Sequence, residues 1–136
     1  MFTPEQLAIL QAVVNRIIPP DDDPGGWDAG VGDYLMAQFK RDLKPLLPQY
    51  RQALDALDEE AQCFVGRSFA RLDGDAQDAL LGQIERGEVQ TRWLVDPAAF
   101  FRLMVEHCAE GFYSDPGNGG NRDQVAWRMI GFEVTK

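Results

Sequence analysis

The fold is decided by helix signals that are clearest at residues 3–20, which read TPEQLAILQAVVNRIIPP. Thr3 suits an N-cap, Pro4 suits the first helical position, and Gln6 completes a Thr-x-x-Gln capping box. Apolar side chains then recur at helical period, and Phe2 and Leu7 have the spacing of a hydrophobic staple. The stripe consists of Leu7, Leu10, Val14, Ile17 and Ile18. Pro19-Pro20 ends the helix because neither residue donates a backbone N–H.

The same kind of pattern continues along the rest of the chain. A second apolar stripe runs from Val31 to Leu43, and Pro45 and Pro48 mark a break before the next one. Asp73 and Asp96 both suit N-caps, and Gly87 suits a helix stop. The predicted stripes are Val31, Leu35, Phe39 and Leu43, then Tyr50, Leu54, Leu57, Ala61, Phe64 and Val65, then Leu80, Leu81 and Ile84, then Phe100, Phe101, Met104 and Cys108, and finally Val125, Met129 and Ile130.

These stripes predict an all-α fold, with five or six helices in a single compact domain that spans residues 1–136. The helix that begins at Asp96-Pro97 should end near Gly111, before a Gly-rich ordered loop. Residues 89–95 form a strand-like interval, but it is short and broken by charge. We find no repeat and no internal linker.

Composition restricts the partners. Thirteen basic and 22 acidic residues give a net charge of −9, which argues against nucleic acid and against an anionic membrane surface. No apolar run approaches the ~20 residues that cross a bilayer, and no secretory signal is evident at the N-terminus. Cys63 and Cys108 lie in helical patterns without a CxxC partner, so we expect buried thiols, with a disulfide or metal ligand as alternatives.

Three motifs invite a chemical interpretation, and each has a simpler structural one. The acidic run at residues 21–23 lacks the ligand spacing of an EF-hand. The glycines at 117–120 resemble a phosphate loop, but no Lys-Ser or Lys-Thr follows and no strand precedes them. His107, the single histidine, could act as a base with Glu106 or Glu110, or could simply hydrogen-bond a neighbour within the helical core.

The most distinctive stretch is residues 110–122, which read EGFYSDPGNGGNR. It combines glycines, which are costly to order, with rings that favour burial. Either this segment folds over the core of the domain, or it contacts a partner, since aromatic and Arg residues are enriched at interfaces. The residues concerned are Glu110, Phe112, Tyr113, Asp115, Gly119, Gly120, Asn121, Arg122 and Trp127.

This C-terminal motif, followed by Trp127-x-Met129-Ile130-Gly131-Phe132, resembles the signature of the gluconate 2-dehydrogenase small (gamma, subunit 3) family. Residues 16–19 and Ala29-Gly30-Val31 are similar to the N-terminal half of that family, and the middle of the chain matches more loosely. The chain departs from the family at Asn118, where an aromatic residue or histidine is common, and it lacks the twin-arginine export signal that many members carry.

The resemblance implies a non-catalytic accessory subunit that supports the maturation, stability or export of a large flavoprotein of the glucose–methanol–choline type. FAD would be held by that partner, with no cofactor or metal in this chain, and a cytochrome c subunit would accept the electrons in some complexes. The partner would oxidise a sugar, sugar acid or polyol. The compartment would be periplasmic if a signal has been removed, or cytoplasmic otherwise. The alternatives are a small enzyme that uses His107 with Glu106 or Glu110, and a self-contained helical binding module.

Overall fold

The computed structural model describes residues 1–19 and 25–113. Within these ranges the chain is helical and contains no strand, which confirms the predicted all-α class. The five α-helices are α1 (Pro4–Ile17), α2 (Gly32–Phe39), α3 (Leu47–Val65), α4 (Gly74–Glu85) and α5 (Pro97–Tyr113). A π-helical turn at Trp27–Val31 precedes α2, and 3₁₀ turns at Lys44–Leu46 and Phe69–Arg71 flank α3.

Three predicted helix starts are confirmed by their caps. The Thr3 hydroxyl accepts a hydrogen bond from the Gln6 N–H, and the Gln6 side chain accepts one from the Thr3 N–H. Asp73 accepts from the Ala76 N–H at the start of α4, and Asp96 accepts from the Ala98 N–H at the start of α5. Each cap satisfies a backbone donor that has no partner inside the helix.

The core lies where α1, α3, α4 and α5 pack together. A ladder of rings runs through it, in which Phe2, Phe39, Tyr50 and Phe100 make successive edge-to-face contacts with centroid distances of 5.3, 4.7 and 4.9 Å. This geometry is the favoured one for aromatic pairs. Phe2 therefore packs on α2, and Leu7, predicted as its staple partner, is 37% exposed.

Several predicted stripe residues are not in the core. The buried arc of α1 is centred on Ile9, Leu10, Val13 and Val14, and Leu7 lies at the edge of that arc. Leu43 lies after Phe39, the last residue of α2, so it does not belong to the helix whose stripe was predicted to include it. Phe64 and Val65, in the last turn of α3, are 49% and 45% exposed.

The remaining corrections concern the cysteines and the helix ends. Cys108 is buried, as predicted, and burial raises the pKa of its thiol to about 12. Cys63 is exposed, which contradicts the prediction, because it lies on the outer face of α3 together with the exposed residues Gln52 and Glu59. The strand-like interval 89–95 is an irregular connection, and α5 continues past Gly111 to Tyr113. The predicted Gly-rich loop and final helix lie outside the described residues.

Candidate functional site

The two segments that carry the most specific sequence features meet at one place in the fold. The π-helical turn at Trp27–Val31 packs against both α2 and α5, and α2 also contacts α5. We call this region the motif corner and define it as residues 25–34 together with residues 110–113. Residues 29–31 and 110–113 are about 80 positions apart in the chain, so tertiary packing brings them together.

Glycines allow the close approaches that build the motif corner. Gly30 has a φ of 113°, a backbone conformation that L-residues rarely adopt. A Cβ on Gly32 would lie 2.6 Å from the Trp27 ring, and a Cβ on Gly111 would lie 2.8 Å from the Tyr34 ring. The aromatic rings therefore lie directly on the backbone of α2 and α5.

Hydrogen bonds fix the position of Gly26 and Trp27, where the chain enters the motif corner. The Trp27 N–H donates to the Asn15 side-chain oxygen at 3.1 Å, and the Gly26 N–H donates to the Ile18 carbonyl at 2.8 Å. Both acceptors lie at the C-terminal end of α1. The turn is thereby attached to α1 on one side and to α5 on the other.

The three predicted site residues within the described part of the chain have different environments. Phe112 is fully buried and acts as a core anchor, so its ring is not available to a partner in this conformation. Tyr113 is partly buried, with its ring centroid 6.2 Å from that of Phe112. Glu110 is exposed beside Tyr34, whose pKa is raised by burial and by that neighbouring carboxylate.

The other predicted site residues follow Tyr113 in the chain. Asp115, Gly119, Gly120, Asn121, Arg122 and Trp127 lie outside the described residues. Their proposed role in contacting a partner stays a prediction.

His107 belongs to the core rather than to an open site. It is 5% exposed, and its Nδ1 lies 2.5 Å from the Tyr50 hydroxyl, with the two rings stacked at 5.7 Å. Burial lowers the pKa of His107, while the carboxylates of Glu110 and Glu106 act in the opposite direction. His107 is not among the residues that line the groove beside the first turns of α1, nor among those that line two smaller clefts beside Phe100. This environment matches the structural interpretation of His107.

A buried carboxylate that sequence analysis missed lies on α3. Glu60 is 1% exposed and accepts hydrogen bonds from the N–H groups of Gln90 and Thr91, the Thr91 hydroxyl and the Trp93 indole. Burial opposes ionisation, but these hydrogen bonds outweigh it and lower the pKa of Glu60. A signal was present in the sequence, since Glu60 falls on the apolar stripe between Leu57 and Ala61.

Across residues 1–19 and 25–113, no group of three or more His, Cys, Asp or Glu side chains is placed to hold a metal ion. Every buried side-chain nitrogen or oxygen in these ranges has a hydrogen-bond partner. None of the described helices is long and apolar enough to cross a membrane.

The described residues thus form a small all-helical fold. In it, aromatic rings pack the glycine-containing turn at Trp27–Val31 and α2 against the C-terminal end of α5. The family model for gluconate 2-dehydrogenase subunit 3 matches residues 4–133, nearly the whole chain. The chain belongs to this family, as its sequence motif indicated. No curated protein and no solved structure gives a significant match. As a subunit of a multi-subunit dehydrogenase, a member of this family has partner subunits.

Proposed function

We propose that this chain is a non-catalytic accessory subunit of an FAD-dependent dehydrogenase of the glucose–methanol–choline type. In this proposal the flavoprotein holds FAD and oxidises a sugar, sugar acid or polyol, and this chain supports its maturation or stability. The observation that carries the proposal is the family match over residues 4–133, which includes both halves of the motif corner.

The geometry of the described residues supports a role in binding rather than in catalysis. The glycine and aromatic residues determine the shape of the motif corner, because each aromatic ring packs directly against the backbone of a glycine. The histidine that sequence analysis considered as a base is buried with its Nδ1 occupied by Tyr50. A general base must reach a substrate proton within hydrogen-bond distance, and a side chain that is 5% exposed is poorly placed to do so.

The motif residues are proposed to contact the flavoprotein. Phe112 anchors the C-terminal end of α5 in the core, which fixes the position of the last described residues of the motif. Arg122 and Trp127 are the residue types that dominate binding energy at protein interfaces. We assign Arg122 and Trp127 to the interface, and Asp115 and Asn121 to the turn that presents them. A cytochrome c subunit would be a further partner in some complexes. The assembly would work in the periplasm if a signal has been removed, or otherwise in the cytoplasm.

Co-expression with a flavoprotein of the glucose–methanol–choline type from the same genome tests the proposed function. We expect the yield of soluble, FAD-loaded flavoprotein to rise when this chain is present. Arg122→Ala combined with Trp127→Ala should remove that gain, whereas Arg92→Ala, at an exposed position on the connection between α4 and α5, should preserve it. An unchanged flavin content with and without this chain would contradict a maturation role.

A further inference from the structure

A cleft away from the motif corner is lined mainly by apolar side chains. It has a volume of about 360 Å³ and lies between the start of α3 and the start of α5. We call it the α3–α5 cleft, and its apolar lining consists of Leu46, Val95, Ala99, Phe100 and Leu103. Asp96 also lines it, but its carboxylate caps α5 and already accepts hydrogen bonds from the N–H groups of Ala98 and Ala99.

Contacts within the domain hold the walls of the α3–α5 cleft in place. Phe100, the most buried residue of the lining, is 7% exposed, and its ring makes an edge-to-face contact with Tyr50 at 4.9 Å. The connection that leads to Val95 is held by Glu60, which accepts hydrogen bonds from residues 90–93. A cleft whose walls are already ordered loses little conformational entropy when it is filled.

One stripe of α5 leads from the α3–α5 cleft towards the end of that helix. Its members are three or four residues apart and therefore lie on one face of the helix. They are Ala99, Leu103, Glu106 and Glu110, and both glutamates are exposed. With a rise of 1.5 Å per residue, Leu103 is about 15 Å from Tyr113 along α5. A chain that turns back after Tyr113 would reach the cleft along this stripe.

The sequence that follows Tyr113 contains a segment that suits an apolar cleft. The apolar stripe of the last predicted helix occupies positions i, i+4 and i+7, at Val125, Met129 and Phe132. Trp127 falls on the opposite side of such a helix, because two residues correspond to about 200° of rotation. The link over residues 114–124 spans up to about 36 Å when it is extended. This length exceeds the distance from Tyr113 to the cleft.

Charge favours this segment over a second copy of the chain as the occupant. Residues 114–136 contain three basic and three acidic residues, so the net charge of −9 belongs to residues 1–113. Two domains with this charge repel each other, whereas a neutral segment is not repelled. A covalent link of this length also gives a local concentration on the order of millimolar. A weak apolar contact is therefore sufficient to fill the cleft.

We propose that residues 125–132 of the same chain fill the α3–α5 cleft, with Val125, Met129 and Phe132 against its apolar lining. In this arrangement Arg128 pairs with Glu106 on the exposed stripe of α5, and Trp127 points away from the domain. The docked segment would therefore present Trp127 for the contact with the flavoprotein assigned above. Docking itself requires no partner.

Paramagnetic broadening of NMR signals in the full chain tests the proposal. Gln124→Cys carries a nitroxide, Cys63→Ser removes the exposed native thiol, and Cys108 stays buried. We expect the nitroxide to broaden the backbone amide signals of residues 95–103. Residues 66–71 are the internal control, because the end of α3 at Gly66 is about 30 Å from the start of that helix beside the cleft. Their signals should keep their intensity.

A double variant and a matched control separate docking from a change in charge. M129E/F132E should reduce the occupancy of the cleft at least about tenfold and so remove the broadening, because docking would bury unpaired carboxylates. A126E/T135E makes the same change in net charge outside the apolar stripe and should leave the broadening as it was. Unchanged chemical shifts of residues 66–71 show that the domain remains folded in both variants.

Three results would overturn the proposal. The first is broadening that omits residues 95–103 or affects residues 66–71 to the same extent, and the second is an equal effect of the two double variants. The third is broadening between molecules, when a nitroxide-bearing chain is mixed with an isotope-labelled chain that lacks the nitroxide, since this would assign the cleft to a second copy. All three experiments use the isolated chain, so they give the same answer whether or not a flavoprotein associates with it.

Discussion

At the scale of single residues, the carboxylate of Glu60 collects the hydrogen bonds that order the connection between α4 and α5. Four donors from residues 90–93 converge on its two oxygens at 2.5 to 3.3 Å. A buried charge is costly unless hydrogen bonds satisfy it, and here both the N–H groups and the hydroxyl do so. The connection therefore depends on one side chain of α3.

Glu60→Gln should lower the free energy of unfolding at pH 7 by about 1–3 kcal/mol, because an amide replaces a charged acceptor and brings donors of its own. The pKa of Glu60 is lowered in the folded state. The stability it provides is therefore present above its ordinary pKa of 4.5 and is lost as the pH falls through the lowered value. Urea unfolding should show the difference from the unchanged chain shrinking at acidic pH. Glu59→Gln, one residue earlier and exposed, should stay within about 0.5 kcal/mol at both pH values.

His107 should make the free energy of unfolding depend on pH in a different range from that of Glu60. Its pKa is lowered by burial, so the folded state prefers the neutral ring. The contribution to stability is complete above the ordinary value of 6.5 and is lost as the pH falls through the lowered folded value. We expect the free energy of unfolding to decline below pH 6.5, and His107→Gln to remove that part of the decline. An identical pH profile for the two proteins between neutral pH and the carboxylate range would contradict this account.

The caps could be predicted from the sequence, and the environments of Glu60 and His107 could not. Thr3, Asp73 and Asp96 act within three residues of their own position, so local sequence is sufficient. The donors to Glu60 lie 30 or more residues away, and Tyr50 is 57 residues from His107. A charged residue on an apolar stripe indicated that Glu60 needed partners, but it gave no information about which ones.

At the scale of helices, the motif corner depends on the approach of α2 to α5 at Gly111. Gly111→Ala should lower the free energy of unfolding by about 1–3 kcal/mol, because the added Cβ would lie 2.8 Å from the Tyr34 ring and would displace it. Chemical denaturation measures the change, and Tyr34→Ala in the same chain should relieve part of it.

Gly82→Ala on α4 is the matched control for that substitution. Its Cβ would meet the flexible end of Arg86 at 3.4 Å, so the gain in helix propensity should dominate. We expect Gly82→Ala to be neutral or to stabilise the chain by up to about 1 kcal/mol. Equal effects of the two substitutions would show that Gly111 is not a point of close packing.

Helix existence was predictable from periodicity, whereas helix ends and exposed turns required the tertiary structure. The stripe through Leu54 and Leu57 predicted α3 correctly, but it also included Phe64 and Val65, which are exposed. Periodicity reports which face a residue occupies and not whether a neighbouring helix extends far enough to cover it. Cys63 was wrongly expected to be buried for a different reason, since it lies on the outer face of α3 with Gln52 and Glu59.

At the scale of the whole molecule, α1 extends from its capping box at Thr3 to the motif corner, which contacts the end of this helix at Val14 and Ile18. The sequence identified the residues of the motif corner through their resemblance to a family. It did not indicate that residues 29–31 and 110–113 meet, because nothing in either segment specifies its distant partner.

Charge distribution at this scale predicts how association should respond to salt. The chain carries a net charge of −9, so a partner surface that is acidic overall should be repelled and a basic one attracted. Raising the salt concentration should therefore change the rate of association with the flavoprotein, whereas Trp127→Ala should mainly speed dissociation. Surface plasmon resonance at two salt concentrations separates these effects.

The central claim is that this chain works as the bound subunit of a flavoprotein, and co-purification tests it most directly. The chain is expressed with an affinity tag together with a flavoprotein of the glucose–methanol–choline type from the same genome. The eluate is analysed by size exclusion with detection of flavin absorbance. Our account predicts one peak that contains both chains in equal amounts and carries FAD, with the flavoprotein lost from it in the Arg122→Ala, Trp127→Ala double variant. Elution of the tagged chain alone, with the flavoprotein folded and FAD-loaded in the unbound fraction, would contradict it.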